Sequence, residues 1–269
     1  ENIIQHTFDN GCRLIYQQNN NSQTCATNIF VKVGSINEPA NLGGISHFIE
    51  HMIFKGDGVL NSLLYGFAGS ALAVFFAFLA AFGIVRLKMK NGLLWFLLIY
   101  SGTVFPFQMY LLPLFEAYVA IGIYNTKFGL ILVYVGLCIP FSTFVLRGFF
   151  LTVPWEIQEA AKIEGATNFQ ILRKIMLPLA KAPILLVFLI QFTWIWNDLL
   201  FGMVLSRSVG VRPITTALIG MQNLYAQMDG PTILTATLLA SIPTLLIFLL
   251  LQKHFIRGLT LGSMNAGKG

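Results

Sequence analysis

Between two long apolar stretches, the chain reads Pro154-Trp155-Glu156-Ile157-Gln158-Glu159-Ala160-Ala161-Lys162-Ile163-Glu164-Gly165-Ala166, and it continues through Ile175-Met176-Leu177-Pro178. The spacing of apolar and polar residues in this segment predicts two short amphipathic helices. Gly165 lies between them, where it permits a turn that other residues resist, and Pro178 ends the second helix. Because Ala160 and Ala161 are small and the segment is charged, we expect a compact helical hairpin suited to binding a groove of another protein.

The composition of the whole chain indicates a membrane protein. Of its 269 residues, 56% are hydrophobic and only 10% are charged, which is too apolar for an ordinary soluble domain. The net charge of +6 could indicate nucleic-acid binding, but the Lys and Arg residues lie beside long apolar runs and are better interpreted as determinants of membrane topology. Cys12, Cys25 and Cys138 show no metal-ligand spacing, and nothing in the sequence requires a disulfide.

Several stretches are long enough to cross a bilayer, which requires roughly 20 apolar residues each. They are residues 62–85, 93–115, 128–150, 183–205 and 233–251. We therefore predict that residues 62–269 form an all-α polytopic membrane protein with about five transmembrane helices. Before residue 57 the sequence is mixed and reads as soluble, with a predicted strand at 24–33 and a predicted helix at 45–52.

The distribution of basic residues predicts the orientation of these spans. Most of them fall on one side, namely Arg86, Lys88, Lys90, Arg147, Lys162, Arg173, Lys174, Lys181, Lys253, Arg257 and Lys268. Within residues 62–269, the other side carries only Lys127, Arg207 and Arg212. Because cytoplasmic loops are enriched in Lys and Arg, we expect the 151–182 loop and the C-terminus to be cytoplasmic, and residues 1–61 to lie outside the cytoplasmic membrane.

The hairpin segment resembles the EAA loop of the permease subunits of ABC importers. The likeness is carried by Glu159-Ala160-Ala161, by Gly165 and by Leu177-Pro178. Other stretches from about residue 58 onward resemble the maltose-type carbohydrate permeases, namely Asn61-Ser62-Leu63, Phe105-Pro106, Leu146-Arg147-Gly148-Phe149-Phe150, Trp196-Asn197-Asp198 and Arg257-Gly258-Leu259-Thr260. The resemblance extends over about four-fifths of the chain, and these motifs are specific when taken together.

The resemblance implies a mechanism and a set of partners. The loop at 154–178 would couple the permease to a cytoplasmic dimer of ABC ATPases through Glu159, Ala160, Ala161, Gly165 and Pro178. A second permease subunit and an extracytoplasmic sugar-binding protein would complete the importer. Because the chain has no Gly-rich phosphate loop of the Walker type, ATP would be bound by the partner ATPase, and transport would require no cofactor of the permease itself.

Gln191, Asn197 and Asp198 are polar residues within an apolar run and are candidates for the translocation pathway. Polar groups are costly in hydrocarbon, so such residues commonly have a function. Alternatively, Asp198 lies near the outer interface or packs against a partner helix. Trp194, Trp196 and Tyr110 could stack on a sugar ring, or the tryptophans could belong to an interfacial belt of aromatic residues.

The N-terminal part of the chain predicts a zinc-binding helix. His47, Glu50 and His51 stand in the order His-x-x-Glu-His, so the two imidazoles are one turn apart on one face and can bind zinc. Glu50 could act as the catalytic general base on a zinc-bound water. Residues 1–56 resemble the opening of the inverted-motif zinc peptidases of the pitrilysin and mitochondrial processing peptidase group.

This peptidase-like fragment is predicted to be incomplete. A catalytic zinc site needs three protein ligands and an open position, and the family takes its third ligand from a Glu on a later helix. The only carboxylate between Asp57 and Glu156 is Glu116, whose surroundings match the permease pattern instead. We therefore expect weak or no zinc binding at His47 and His51 and no peptidase activity.

The two resemblances meet at residues 57–61, so the chain reads as a chimera of a truncated α+β fragment and a permease that lacks its first helix. A fusion artefact, a gene-model error or a deliberate chimera would each produce such a joint, more readily than a natural fusion. The leading hypothesis is a sugar-importer permease, which is not itself an enzyme. The alternatives are a membrane-anchored zinc metalloendopeptidase, or a chain in which neither part is functional.

Overall fold

The computed structural model describes residues 3–7, 13–17, 56–224, 237–238 and 240–249. The chain divides into two units, Glu1–Ser46 and His47–Gly269.

The described part of the first unit is an antiparallel pair of strands. Strand β1 (Ile3–Thr7) pairs with β2 (Arg13–Gln17), and Ile3 lies opposite Gln17. Strands were expected in this part of the chain, but neither of these two was located from the sequence. The predicted strand at 24–33 and the predicted helix at 45–52 lie outside the described residues.

The second unit is helical in its described part, apart from connecting turns. Its helices are α1 (Gly56–Arg86), α2 (Gly92–Ser101), α3 (Phe107–Ala120), α4 (Lys127–Thr152), α5 (Trp155–Ile163), α6 (Asn168–Ile171), α7 (Leu177–Leu179), α8 (Lys181–Asn197), α9 (Leu200–Leu205), α10 (Ile214–Leu224) and α11 (Ala240–Leu249). A π-helical turn, Leu172–Met176, joins α6 to α7.

Two of the described helices, α1 and α4, are long and apolar enough to cross a membrane by themselves. They contain the predicted stretches 62–85 and 128–150 and confirm that both are helical. A third span is possible if the helical segment Asn168–Leu179 and the helix Lys181–Asn197, which meet at 72°, act as one bent span.

The other predicted spans differ from the observed helices. The stretch 93–115 is two helices, because α2 ends at Ser101 and Pro106, which has no N–H to continue the helical ladder, precedes α3. The stretch 183–205 is interrupted after Asn197, between α8 and α9. The stretch 233–251 lies partly outside the described residues, so a total of about five spans stays a prediction.

Small residues let α1 lie close to α4 and α8. The buried face of α1 carries small residues every three or four positions, namely Gly66, Ser70, Ala73, Ala77 and Ala81. A Cβ on Gly66 would approach the ring of Phe192 in α8 to 2.6 Å. Close backbone approach of this kind drives helix association in membranes, where there is no hydrophobic force between helices.

The outward faces of the long helices are apolar as well. Phe75 and Phe76 of α1 and Leu132 of α4 are about half exposed, and large apolar side chains recur along α2 and α3. A surface of this kind would cause a soluble protein to aggregate. It is the expected surface of helices that contact lipid or a neighbouring transmembrane subunit.

One core cluster joins the helical bundle to the predicted hairpin. It contains Phe78 and Phe82 of α1, Leu146 and Phe150 of α4, and residues of the segment that follows. Those residues are Val153, Ala161, Ile171, Met176 and Ala180. The hairpin is therefore fixed to one end of α1 and α4 through a shared apolar core.

Candidate functional site

The predicted segment 154–178 contains the two short helices that its sequence predicts, α5 and α6, and the segment 154–180 that includes them is here called the hairpin. Helix α5 ends at Ile163, and Gly165 has φ +83°, the left-handed conformation that glycine adopts without the cost of a Cβ. Helix α6 begins with a capping box in which Thr167 and Gln170 bond to each other's backbone N–H. The predicted break between two short helices at Gly165 is confirmed.

The second half of the hairpin contains a π-helical turn just before Pro178. Pro178 has no N–H with which to bond the carbonyl four residues earlier. The residue before it, Leu177, donates its N–H to the carbonyl oxygen of Leu172, five residues back, which is the π-helical bond. The helix ends at Leu179, one residue after Pro178, and α8 starts at Lys181. Pro178 therefore lies where the chain bends into α8, close to its predicted place at the helix end.

One face of α5 is fixed against the bundle. Gln158 and Ala161 are buried, and Ala161 lies in the core cluster that includes Val85 and Phe150. Both alanines were predicted to couple to an ATPase. Ala161 packs inside the protein, whereas Ala160 is exposed. The two adjacent alanines differ because successive residues of an α-helix are 100° apart.

Arg86 at the end of α1 connects three elements of the site. Its guanidinium donates a hydrogen bond to the carbonyl oxygen of Val153, which follows α4, and lies 4.6 Å from the centre of the Trp155 ring. Its own carbonyl oxygen accepts a hydrogen bond of 3.1 Å from the side-chain amide of Gln158 in α5. Sequence reasoning counted Arg86 only as a topology charge and did not identify this contact.

The opposite face of the hairpin is exposed and partly apolar. Ile163 is 88% exposed and Phe169 is 65% exposed, and Ala160, which lies one turn before Ile163 in α5, is exposed as well. Acidic side chains, Glu159 and Glu164, flank them. Large apolar side chains held out on a rigid, charged hairpin are typical of a surface that binds another protein.

A second candidate site is a cavity of about 560 Å³ beside the end of α8. It is lined by Phe107, Ile190, Thr193, Trp194, Asn197, Asp198, Leu199, Leu200 and Phe201. Asn197 is exposed there, and its side-chain nitrogen donates to the carbonyl oxygen of Thr193. The cavity brings together two of the three predicted pathway residues, Asn197 and Asp198.

The third predicted pathway residue, Gln191, lies elsewhere. It is buried, and its amide donates hydrogen bonds of 3.1 Å to the carbonyl oxygen of Cys138 and to the hydroxyl of Ser142, both on α4. These contacts tie α8 to α4. Gln191 does not line the cavity in this structure.

Asp198 occupies the break between α8 and α9 and is 9% exposed. Its carboxylate accepts hydrogen bonds from the Tyr134 hydroxyl at 2.9 Å, from the Gly202 N–H at 3.1 Å and from the Phe201 N–H at 3.4 Å. The carboxylate thus satisfies N–H groups at the start of α9 that have no helical partner. Asp198 both lines the cavity and holds this turn together.

The predicted zinc ligands lie in the part of the chain that the structure does not describe. His47, Glu50 and His51 all fall there. Within the described residues, no group of three or more His, Cys, Asp or Glu side chains could hold a metal ion. The expectation of weak or no zinc binding at His47 and His51 stays a prediction.

Comparison with known families gives two matches. The sequence profile of the binding-protein-dependent transport system inner membrane component matches residues 57–261. The profile of the insulinase family, peptidase family M16, matches residues 13–63.

Individual relatives match the helical part. A probable ABC transporter permease protein of Pyrococcus horikoshii is 38% identical over 187 residues, which are 68% of this chain and 65% of the relative, slightly less than two thirds of its length. The trehalose transport system permease protein SugB of Mycobacterium tuberculosis is 31% identical over 79% of this chain and 80% of its own. An inner membrane ABC transporter permease protein of Escherichia coli is 30% identical over 82% of this chain and 80% of its own.

Solved structures share the fold. A bacterial ABC transporter involved in alginate import superposes with a TM-score of 0.65 and 21% identity, over 74% of each chain. The inward-facing MetNI methionine ABC transporter superposes with a TM-score of 0.61 and 21% identity, over 78% of this chain and 97% of its own.

Proposed function

The chain belongs to the family of inner membrane components of binding-protein-dependent transport systems and is a multi-pass permease subunit of an ABC importer, and from this premise we propose that it translocates a sugar. One relative is named for trehalose transport, another for sn-glycerol-3-phosphate transport and another for the uptake of osmoprotective compounds, so we propose a small polar organic solute as the cargo class. Within that class, the motifs of the maltose-type permeases favour a sugar.

The hairpin 154–180 is the part that couples this permease to its ATPase. The observation that carries this assignment is the two-faced geometry of α5: Gln158 and Ala161 are anchored to the bundle, and Ala160 and Ile163 are presented on the other side. Such a hairpin transmits force, because the face that binds the partner and the face fixed to the membrane helices belong to one rigid element. ATP is bound by the ATPase, and a second permease subunit and an extracytoplasmic binding protein complete the importer.

The cavity beside α8 belongs to the translocation pathway. Thr193, Trp194 and Asn197 lie on the same side of a mostly apolar helix and line that cavity. An exposed amide facing lipid would be costly, so this side of α8 faces water, substrate or the second permease. Trp194 offers an aromatic face for a sugar ring, and the amide of Asn197 offers a hydrogen-bonding group.

We assign the hairpin to the cytoplasmic side of the membrane. The basic residues near it, which include Arg86, Lys88 and Arg173, agree with the positive-inside rule. The opposite ends of α1 and α4 then lie on the outer side.

Residues 1–56 are an insulinase-type fragment joined to the permease, with the seam at 57–61, and they do not take part in transport. The insulinase profile reaches only residue 63, which leaves most of a peptidase domain unaccounted for. A zinc endopeptidase is therefore not the favoured function. Its specific signature would be a chelator-sensitive peptide cleavage that is lost on replacing His47 or Glu50.

Coupling through the hairpin is tested with a matched pair of glycines. Gly165 and Gly122 have nearly the same left-handed backbone, φ +83° and +75°, and a Cβ added at either position would have no heavy atom within 4 Å. Alanine at either position costs about 1–2 kcal/mol of backbone strain. Only Gly165 lies in the hairpin, so Gly165→Ala should weaken capture of the ATPase by at least ~5-fold, as expected for about 1 kcal/mol, while Gly122→Ala should not.

The measurement is co-purification of a co-expressed ABC ATPase and second permease with the tagged chain from detergent-solubilised membranes, read as vanadate-sensitive ATP hydrolysis per permease. Equal loss in Gly165→Ala and Gly122→Ala would mean that the strain acts on folding. Absence of any ATPase with the unmodified chain, together with chelator-sensitive peptide cleavage, would overturn the transport function in favour of the peptidase.

A further inference from the structure

Helix α1 is fixed by buried side-chain hydrogen bonds at both of its ends. It contains 31 residues and is therefore about 46 Å long, enough to span the membrane. At its C-terminal end stands Arg86, which is 1% exposed although arginine is seldom fully buried. At its N-terminal end stand three polar residues that are equally buried, Asn61, Ser62 and Tyr65.

The contacts at the C-terminal end, here called the hairpin joint, run in both directions. The Arg86 side chain bonds to the main chain of Val153, and the Gln158 side chain bonds to the main chain of Arg86. The ring of Trp155 lies against the same guanidinium. A displacement of α5 must therefore displace the end of α1 or break these contacts.

The contacts at the N-terminal end, here called the far joint, hold the 211–214 segment. The Asn61 amide donates to the carbonyl oxygen of Arg212 at 3.1 Å, and the Tyr65 hydroxyl donates to the carbonyl oxygen of Val211 at 2.6 Å. The Ser62 hydroxyl accepts from the N–H of Ile214 at 2.9 Å. The segment between α9 and α10 is thus tied by its main chain to α1.

Between the joints, α1 is packed too closely to bend independently. The buried small residues of its inner face, from Gly66 to Ala81, hold it against α4 and α8, and Gly69 lies where a Cβ would approach Ile195 to 2.9 Å. Helices packed in this way shift as rigid elements, because a close-packed interface is not continuously deformable.

We propose that α1 is a connecting rod that transmits movement of the hairpin to the 211–214 segment on the opposite side of the membrane, and that Arg86 and Gln158 are the positioning residues that attach it to the hairpin. This inference rests on the proposed coupling of the hairpin to an ATPase. It adds a route by which ATP binding on one side changes the surface on the other.

The arrangement at Arg86 fits a joint that moves. Within the described structure, its Nε and Nη1 atoms are buried without an acceptor, which is a costly state for a charged group. A guanidinium that is only partly bonded in one state can gain acceptors in another as the hairpin shifts. Two discrete sets of contacts are what a coupled element requires.

The test places a reporter at the far end and breaks the near joint. Val209 is 52% exposed in the loop before the far joint and makes none of its hydrogen bonds. It is replaced by cysteine in a background with Cys12→Ser, Cys25→Ser and Cys138→Ala, and the chain is co-assembled with its ATPase and second permease. The rate of labelling by a membrane-impermeant maleimide is compared with and without ATP plus vanadate.

In the Val209→Cys chain with Arg86 and Gln158 unchanged, ATP plus vanadate should change the labelling rate by ~5-fold or more, a typical coupling factor between two sites. Gln158→Met, which keeps the side-chain length and removes the amide, should abolish the change while the ATPase remains bound and active. Arg86→Gln should do the same, and Arg86→Lys, which keeps a charged donor, should restore part of it. The control is Lys88→Met, since Lys88 is exposed, approaches the same Trp155 ring at 4.7 Å and makes no hydrogen bond among the described residues.

The outcomes separate the two proposals. If no ATPase assembles with the background chain, the proposed function fails. If the ATPase assembles and the labelling change persists undiminished in Gln158→Met, or never occurs at Val209→Cys, the connecting rod is overturned and the coupling hairpin stands. If Arg86→Gln fails to fold, Gln158→Met decides.

Discussion

Replacing Ala160 by arginine is expected to abolish binding of the ATPase and to leave the helical bundle folded. Ala160 lies on the exposed face of α5, two residues from the buried Gln158, and beside Ile163. A long charged side chain at the centre of the docking face would prevent close approach. The loss should reach at least ~30-fold in affinity, as expected for about 2 kcal/mol at a central interface position.

The control for this prediction is Ala120→Arg, which makes the same change at an exposed helical alanine at the end of α3, far along the chain from the hairpin. Binding is measured by titrating the purified ATPase onto the permease in lipid nanodiscs. Thermal unfolding of both variants shows whether the bundle is intact. If Ala160→Arg binds the ATPase as tightly as Ala120→Arg does, the exposed face of α5 is not the docking surface.

Replacing Asp198 by leucine should destabilise the protein severely. The carboxylate accepts from three buried donors, the Tyr134 hydroxyl and the N–H groups of Phe201 and Gly202. Each buried donor left without a partner costs about 1–3 kcal/mol, so the free energy of unfolding should fall by about 3 kcal/mol or more. Asp198→Asn keeps one acceptor oxygen and the same shape, and it should lose about 1 kcal/mol.

The matched partner change is Tyr134→Phe, which removes one donor. In a double-mutant cycle measured by unfolding in mixed micelles, the costs of Asp198→Leu and Tyr134→Phe should be non-additive by roughly 1 kcal/mol, because the two side chains are in contact. Additive costs would show that this hydrogen bond does not contribute. The Asp198→Asn variant also separates the two roles of Asp198, because a loss of transport in a variant that remains folded would place the carboxylate in the pathway.

The helical hairpin was predictable because its signals are local. A glycine between two amphipathic stretches, followed by a proline, fixes a break and an end whatever surrounds them, and Gly165 adopts the expected left-handed conformation. Hydropathy likewise identified α1 and α4, because long apolar stretches have few alternatives to crossing a bilayer. Hydropathy could not resolve the break between α2 and α3, since hydropathy depends on composition, and the same apolar residues can form one continuous helix or two helices separated before Pro106.

The contacts of the site depend on residues far apart in the chain and were not predictable. Arg86 meets Val153 and Gln158 only after α1 and α4 have packed together. Gln191 and Asn197 are equally polar in an apolar run, yet one bonds to α4 and the other faces a cavity. Which side of α8 faces inward is decided by packing against α1, where Gly66 receives the ring of Phe192.

Photo-crosslinking from position 163 in intact cells tests whether the hairpin contacts an ABC ATPase. The Ile163 side chain is 88% exposed at the end of α5, so its replacement by a photoreactive residue would remove little packing. The hairpin should form an adduct with a cytoplasmic ABC ATPase subunit, and an adduct of the same kind should be missing from position 121, an exposed isoleucine at the end of α3. If position 163 gives no ATPase adduct and instead reacts with impermeant reagents added outside the cell, the hairpin is not cytoplasmic and is not the element that couples the permease to an ATPase.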